Sequence, residues 1–221
     1  MPIFNISGTM LDLPDEILSP DLINWLESGR YELQESRALT AFVTPRDVVI
    51  DIGAGVGFVS ILAARIVGGQ NVIAVEANPK LLPVLKNNFA LNDVVGATLL
   101  NFAVVAGVDP RATLYLNRAF WASSTLAAEN SLQKGVEVPA VSLEAITAER
   151  QPTVVVCDVE GSEKDFFQAP LPACVRLIIL ELHPTKYSSH AFETILARLA
   201  AIGFAYVFFD TPDGVACFAR Q

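Results

Sequence analysis

A glycine-rich segment at residues 51–57 (DIGAGVG) has the composition of a ligand-binding turn. Such a turn between a strand and a helix lets a ligand approach the backbone at the positive end of the helix. A dinucleotide fingerprint would place its third glycine at position 58, where this chain has Phe58. A carboxylate at Asp51 would lie poorly beside a pyrophosphate and well beside an ammonium or sulfonium group. The segment therefore favours S-adenosylmethionine over a nicotinamide dinucleotide.

An acidic residue, Glu76, ends the next apolar run at residues 71–76 (NVIAVE). In doubly wound nucleotide-binding folds, an acidic side chain at this point hydrogen-bonds the ribose hydroxyl groups. On consecutive strand ends, the glycine turn and Glu76 together predict an S-adenosylmethionine site. The alternative is structural: the glycines would form a tight turn against a helix, and Glu76 would be a solvated strand end.

Polar residues also follow two later apolar runs, at residues 157–163 (CDVEGSE) and 181–183 (ELH). Ligands of open α/β sheets bind beyond the carboxyl ends of the strands, where the strand order reverses. If the strand before residue 158 lies beside the strand before the glycine turn, Asp158 and Glu160 face the methyl end of the cofactor. With His183 they could orient an acceptor hydroxyl and take its proton. These three are the predicted catalytic residues.

The same polar cluster admits other interpretations. Carboxylates and an imidazole are also ligand types for a divalent cation, and the side chains of that kind are Asp158, Glu160, Glu181 and His183. No metal is predicted as a resident ligand. Glu163 is expected only to cap a helix. His183, which precedes a proline, could instead hydrogen-bond a carbonyl in the core.

The composition excludes several classes of protein. Of 221 residues, 52% are hydrophobic and 18% charged, which is the reverse of a disordered chain. The net charge of −9 argues against binding to nucleic acid or to an anionic membrane. The three cysteines are far apart and the histidines number two, so neither a zinc pattern nor a disulfide framework is expected. No basic residue precedes Arg30 and no apolar run is long enough to span a membrane, which predicts a cytoplasmic protein.

Short β-branched runs alternate with helical patterns, which predicts an α/β fold with a mostly parallel sheet and helices on both faces. Seven strands are expected, at residues 47–52, 71–76, 97–105, 153–158, 177–182, 204–209 and 215–219. The main helices should follow the glycine turn, begin at Pro79, and cover residues 192–202. The four-residue turn at 211–214 (TPDG) permits only an antiparallel hairpin at the C-terminus.

Two regions lie outside this alternation. Residues 1–46 form an N-terminal segment that should pack on the core, with one helix over residues 20–42 capped by Ser19. Residues 47–221 then form the catalytic domain, and within it residues 106–152 are too long for a plain connection. This insertion contains Trp121 and a strand near residues 136–141. It is either a substrate-binding element or an extra hairpin packed on the sheet.

Over roughly residues 30–187 the chain resembles the FkbM-type family of S-adenosylmethionine-dependent methyltransferases. The matching segments, in order, are YELQE (31–35), VVIDIGAGVG, VIAVEANP, LLNFAV, WASS, CDVEGSEKDF and LIILELHP. The pairing of DVEG with a later ELHP is fairly specific, whereas most such enzymes share the glycine turn. Gly55 stands where the family often has asparagine, and Ala77 where it often has proline.

The resemblance implies the Rossmann-like class I methyltransferase fold, methyl transfer, and a set of site residues. The glycine turn would cradle the methionine part, Glu76 the ribose, and three further residues the adenine. The residues implied for the cofactor are Glu35, Asp51, Gly53, Ala54, Gly55, Gly57, Glu76, Ala77, Asn101, Phe102 and Asp158. The acceptor would be a hydroxyl on a small molecule or saccharide. Methylation of nitrogen, a non-catalytic cofactor-binding role and an NAD-dependent oxidoreductase are the alternatives.

Overall fold

The computed structural model describes residues 2–116, 123–125, 135–183, 186–207 and 214–221. Trp121 and the tip of the predicted C-terminal hairpin lie outside the described residues. The strands are β1 (Ile3–Ile6), β2 (Thr9–Asp12), β3 (Val49–Ile52), β4 (Val72–Val75), β5 (Thr98–Leu100), β6 (Ala103–Val105), β7 (Arg111–Tyr115), β8 (Gly135–Ser142), β9 (Val154–Cys157), β10 (Leu177–Glu181), β11 (Phe204–Val207) and β12 (Val215–Arg220). The helices are α1 (Pro20–Glu27), α2 (Leu33–Phe42), α3 (Phe58–Val67), α4 (Leu82–Leu91), α5 (Leu143–Arg150) and α6 (Ser189–Ala201).

The central sheet has seven strands in the order β11-β12-β10-β9-β3-β4-β5. Strands β10, β9, β3, β4 and β5 run parallel, and β12 pairs antiparallel with both β10 and β11. The predicted fold class, with its antiparallel C-terminal hairpin, is therefore confirmed. The strand order reverses between β3 and β9, and Ile52 lies directly opposite Cys157 in that pair. The loops that follow these two strands therefore emerge side by side.

Both faces of the sheet are covered, which explains why its inner strands are apolar throughout. Every residue of β3, β4 and β9 is buried. On one face Leu39, Ile61 and Leu85, from α2, α3 and α4, pack in one core cluster. On the other face Ile146 and Leu199, from α5 and α6, pack in a second cluster. In the described part of the chain no helix is long and apolar enough to cross a membrane.

The predicted single helix over residues 20–42 is wrong, because the structure divides it into α1 and α2. Ser19 caps α1 as predicted, accepting a hydrogen bond of 3.1 Å from the backbone N–H of Leu22. The backbone is left-handed at Gly29 (φ 67°) and at Glu32 (φ 50°), and this conformation is incompatible with a continuous right-handed helix. The break turns Tyr31 and Glu32 toward the carboxyl ends of the sheet strands, where they line cavities.

Three further local expectations are corrected. Helix α4 begins at Leu82 rather than at Pro79, because Asn78 accepts a hydrogen bond from the N–H of Lys80 and forms a turn there. The predicted strand at residues 97–105 is two strands, β5 in the central sheet and β6 in a separate three-stranded sheet with β8 and β7.

The N-terminal segment, expected to be helical, also contains the hairpin β1–β2. Side chains of α4 fasten that hairpin, since Asn88 accepts from the N–H of Asp12 at 2.8 Å.

An ion pair between the buried carboxylate of Asp47 and the half-exposed guanidinium of Arg176 joins the amino-terminal ends of the central strands. The Asp47 side chain is 4% exposed and accepts hydrogen bonds from Thr44, from Thr153 and from the guanidinium of Arg176. Burial alone would raise the pKa of Asp47, but these donors hold it well below its usual value. The carboxylate therefore stabilises the fold at neutral pH, and this contribution falls as the pH drops below the unfolded-state pKa of about 4.

The substitution Asp47→Asn is expected to lower the free energy of unfolding by about 1–3 kcal/mol at pH 7. The deficit should shrink as the pH falls below about 4, because the wild-type carboxylate then takes up protons only on unfolding. Urea denaturation at a series of pH values measures both effects. The exposed Asp165→Asn variant is the control for removal of a negative charge. If the difference in unfolding free energy between wild type and Asp47→Asn were the same at every pH, this assignment would be contradicted.

Candidate active site and cofactor cavity

The glycine turn after β3 lies against the loop after β9. Gly53 has φ +90°, and a Cβ atom placed there would lie 1.7 Å from the backbone oxygen of Asp158. Only glycine permits both this conformation and this approach. The segment predicted to bind the cofactor is therefore in direct contact with the segment predicted to carry catalysis.

Glu76 ties the end of β4 to the glycine turn. Its side chain is buried and accepts hydrogen bonds from the backbone N–H groups of Gly55 at 2.8 Å and of Asn78 at 2.6 Å. Burial raises the pKa of Glu76 to about 7, although these hydrogen bonds oppose the change. The carboxylate lines a cavity at the carboxyl end of the strands.

Asp51 is buried below the same turn. Its carboxylate accepts a hydrogen bond from the hydroxyl of Ser60 on α3, which fixes its orientation. Burial raises the pKa of Asp51 to about 6. Asp51 lines a small cavity together with Glu35, Ala54 and Tyr31.

Some of the remaining residues predicted to bind the cofactor line the cavity, and others hold its backbone in place or pack against a helix. Ala77 and Phe102 line the same cavity as Glu76. The side-chain amide of Asn101 donates hydrogen bonds to the backbone oxygens of Glu76 (2.8 Å) and Ala77 (3.2 Å). It therefore holds the backbone of this cavity wall in place. Gly57 directly precedes α3 as its N-cap, and a Cβ atom there would meet the Phe89 ring at 3.1 Å. The structure thus places Gly57 in helix packing.

Two larger cavities open at this edge of the sheet. The first includes Gly53, Gly55, Glu76, Ala77, Leu81 and Phe102 in its wall. The second is larger and is lined by Trp25, Arg30, Leu33, Glu35, Glu181, His183 and Lys186, among others. Both cavities share the wall residues Tyr31, Glu32, Asp158 and Glu160. Ligands in the two cavities would meet at these shared residues.

His183 lines the second cavity beside this shared wall, and its two ring nitrogens have different surroundings. Nε2 lies 3.4 Å from Oε2 of Glu160 and 3.5 Å from Oδ1 of Asp158. Nδ1 lies 3.0 Å from Oε1 of Glu163. Burial alone would lower the pKa of His183, but the Glu163 hydrogen bond and the surrounding negative charges raise it above its usual value. The three predicted catalytic residues are thus brought together, and the ring contacts carboxylates, not a core carbonyl.

Comparison with known proteins identifies the family. Residues 51–206 match the family described as the methyltransferase FkbM domain. The chain belongs to the FkbM methyltransferase family. Among solved structures, M. jannaschii TYW2 in complex with AdoMet is similar, with 16% identity, a TM-score of 0.52, and coverage of 99% of this chain and 86% of that one. The ribosomal protein L11 methylase from Lactobacillus delbrueckii subsp. bulgaricus has 16% identity, a TM-score of 0.52, and coverage of 88% and 81%. No curated protein matches this sequence.

Burial first, and repulsion among carboxylates second, determine the electrostatics of this FkbM-family site. Burial, followed by the charges of Glu181 and Glu160, raises the pKa of Asp158 well above its usual value. Burial, followed by the charges of Glu35 and Glu32, raises the pKa of Glu181 to about 9. The second cavity therefore favours groups that donate hydrogen bonds or carry positive charge.

A lysine of this FkbM-family chain forms an ion pair with one of these acidic residues. The ammonium of Lys186 pairs with Oε2 of Glu160. Asp158, Glu160 and His183 also bring one ligand atom each within 4.8 Å of the others, a spacing that a divalent cation could bridge. The cluster can thus accept a cation or serve as an acid–base centre.

Sequence reasoning missed several residues of the site. Tyr31 and Glu32 reach the cavities because the helix break at residues 28–32 redirects the chain, and Trp25 of α1 lines the second cavity. Tyr31 and Glu32 lie in the YELQE segment, so the resemblance to FkbM-type enzymes contained that signal. Glu163 does cap its short helix, since it accepts from the N–H of Gly161 at 2.7 Å, but its other oxygen contacts His183. The expectation that it only caps a helix is wrong.

Proposed function

We propose that this protein transfers a methyl group from S-adenosylmethionine to a hydroxyl group of an uncharged small molecule or saccharide. The observation that carries the proposal is the meeting of two cavities at Asp158 and Glu160, with Nε2 of His183 at the junction. The first cavity would take the cofactor and the second the acceptor.

The side chains of the first cavity fit S-adenosylmethionine. Acidic residues line it, and among the described residues no lysine, arginine or histidine does. This charge pattern suits a ligand with a sulfonium, an ammonium and no phosphate, and it would repel a pyrophosphate. Glu76 offers carboxylate oxygens for ribose hydroxyls, while Ala77, Leu81 and Phe102 form an apolar wall for a flat base.

The insertion at residues 106–152 contributes described residues to the wall of the first cavity. Leu114 of β7 and residues 123–125 line the first cavity. The hydroxyl of Ser124 donates to the backbone oxygen of Glu160 at 3.0 Å, and the hydroxyl of Thr125 contacts that of Ser162. These contacts join the insertion to the loop that carries Asp158. We therefore propose that residues 106–152 belong to the binding site rather than forming only an extra hairpin.

The mechanism follows from the positions of the polar groups. Bound S-adenosylmethionine supplies a methyl group that its sulfonium already activates. His183 Nε2 removes the proton from the acceptor hydroxyl, which is otherwise a poor nucleophile. Asp158 and Glu160 accept hydrogen bonds from the acceptor and stabilise the imidazolium that forms. Alignment of the two ligands by the cavity walls can lower such a barrier by roughly 7–11 kcal/mol.

The acidic lining of the second cavity restricts the class of acceptor. Five acidic side chains contribute to it, namely Glu32, Glu35, Asp158, Glu160 and Glu181, against three basic ones, Arg30, His183 and Lys186. Because the acidic side chains outnumber the basic ones, an anionic acceptor is disfavoured, whereas sugar hydroxyls can donate hydrogen bonds to the carboxylate oxygens. Trp25 and Tyr31 add aromatic surface to the same wall, which suits the apolar face of a saccharide ring.

Calorimetric titration with S-adenosylmethionine, S-adenosylhomocysteine and NAD⁺ tests the cofactor assignment. We expect both adenosyl compounds to bind and NAD⁺ not to bind. Transfer of a labelled methyl group is then measured on neutral glycosides, each paired with its own phosphate ester as the control. Methylation should occur on the neutral member and not on its phosphate ester. It should survive EDTA, because the proposed mechanism uses His183 and no metal.

Other outcomes would each contradict a defined part of the proposal. A lack of binding by both adenosyl compounds, in folded protein, would contradict the cofactor site. Preferred methylation of phosphorylated acceptors would contradict the electrostatic argument for the second cavity. Activity lost in EDTA and regained with Mg²⁺ would make His183 a metal ligand rather than a base. Transfer to amines alone would replace O-methylation with N-methylation.

A further inference from the structure

Glu163 is a carboxylate with no exposed surface in the turn after β9. One carboxylate oxygen accepts a hydrogen bond from the N–H of Gly161 at 2.7 Å, and the other lies 3.0 Å from Nδ1 of His183. A buried carboxylate is tolerated when such donors surround it. Glu163 therefore belongs to a polar network around His183.

The network determines which nitrogen of His183 carries the proton. An ionised carboxylate is only an acceptor, so Nδ1 must donate to Glu163. In the neutral ring the lone pair then resides on Nε2, which faces Asp158 and Glu160 on the shared cavity wall. The backbone N–H of His183 donates to the hydroxyl of Tyr187 at 2.9 Å, so the backbone of this residue is held as well.

We propose that Glu163 is a positioning residue, which holds the proton of His183 on Nδ1 and directs the Nε2 lone pair toward the acceptor hydroxyl. The proposal rests on the proposed function in one respect, namely that His183 is the base. Glu163 itself contacts neither cavity and acts only through the ring.

The proton and electron balance of the step is simple. The O–H bond of the acceptor breaks and its proton moves to Nε2, while the oxygen forms a bond to the methyl carbon. The bond from that carbon to sulfur breaks, and its electron pair stays on the sulfur of S-adenosylhomocysteine. The imidazolium keeps its hydrogen bond to Glu163 and later releases the Nε2 proton to solvent.

The substitution Glu163→Gln tests this arrangement with little change of shape. A glutamine that still accepts from the N–H of Gly161 presents its NH₂ group to His183, so Nδ1 must accept and the proton moves to Nε2. Two-bond ¹⁵N–¹H NMR spectra distinguish the two tautomers. The exposed His190 provides an internal reference, because the chain has two histidines. At a pH above the raised pKa of His183, where the ring is neutral, we expect the Nδ1–H form in wild type, the Nε2–H form in Glu163→Gln, and no change in the control Asp165→Asn.

Kinetics then separate positioning from a purely structural role. Glu163→Gln should lower kcat on the order of 10²-fold, with the affinity for S-adenosylmethionine and the acceptor KM nearly unchanged. Glu163→Asp keeps the charge and should recover part of kcat together with the Nδ1–H tautomer. Asp165→Asn should retain the wild-type kcat.

Each contrary result has a distinct meaning. An Nε2–H tautomer in the wild-type protein, or an unaltered tautomer in Glu163→Gln, would overturn the proposal. An altered tautomer with an unchanged kcat would overturn it as well. If Glu163→Gln does not fold, the wild-type and Glu163→Asp spectra decide in its place. Absence of methyl transfer by the wild-type protein would count against the proposed function, while the NMR spectra would still decide whether Glu163 orients His183.

Discussion

Replacing His183 with glutamine is expected to lower kcat/KM for methyl transfer by about 10²–10⁴-fold, the usual contribution of a general base. This loss corresponds to roughly 3–5 kcal/mol of transition-state stabilisation. The physical reason is that Nε2 lies at the junction of the two cavities, within 3.5 Å of both Asp158 and Glu160. Initial rates with a saturating cofactor measure the effect. The affinity for S-adenosylmethionine should change little, because His183 lines the second cavity and not the first.

His190→Gln is the matched control for this experiment. It removes the other histidine, which is exposed at the start of α6, and should leave both turnover and cofactor affinity unchanged. Thermal denaturation of both variants verifies that they fold. A His183→Gln enzyme that keeps at least a tenth of the wild-type kcat/KM would remove His183 from the role of base.

The second large effect is expected for Gly53→Ala. The added Cβ atom would lie 1.7 Å from the backbone oxygen of Asp158, so one of the two loops must move. The left-handed conformation adds about 1–2 kcal/mol for a residue with a side chain, and the steric conflict typically adds about 1–3 kcal/mol. We expect a loss of about 2–5 kcal/mol in the free energy of unfolding and no measurable binding of S-adenosylmethionine. Urea denaturation and calorimetry measure the two quantities.

Gly203→Ala separates the two contributions. Gly203 has φ +89°, nearly the value at Gly53, but no atom lies within 4 Å of its added Cβ. This control should show only the conformational cost of about 1–2 kcal/mol and should bind the cofactor normally. Equal destabilisation by the two substitutions would mean that the contact between Gly53 and Asp158 is not as close as described.

The fold was predictable because its signals are local. Apolar runs such as β4 and β9 are buried on both faces, and a parallel sheet covered by helices requires that composition. The errors occurred where a single backbone conformation decided the outcome. Left-handed residues at Gly29 and Glu32 divide the predicted first helix, and a turn at Asn78 delays α4. Local propensity does not distinguish these positions from an uninterrupted helix.

The site was predictable in part, and for a related reason. Parallel strands end at one edge of a sheet, so acidic residues at the ends of β3, β4, β9 and β10 were expected to lie together. Residue patterns alone could not show that residues 25–35 complete the same site, because that depends on how α1 and α2 pack, and only the resemblance to FkbM-type enzymes indicated Glu35. It also did not show that Glu163 reaches His183.

By itself the sequence determined the α/β class, the glycine turn and the positions of the acidic strand ends. Hydrophobic periodicity and glycine spacing are local properties that can be read directly from the order of the residues. Only the tertiary structure decided which strands are neighbours, how two cavities meet at Asp158, and which nitrogen of His183 faces them. Those features arise from contacts between residues far apart in the chain. Strand order, register and a helix break fix such contacts, and no local pattern encodes them.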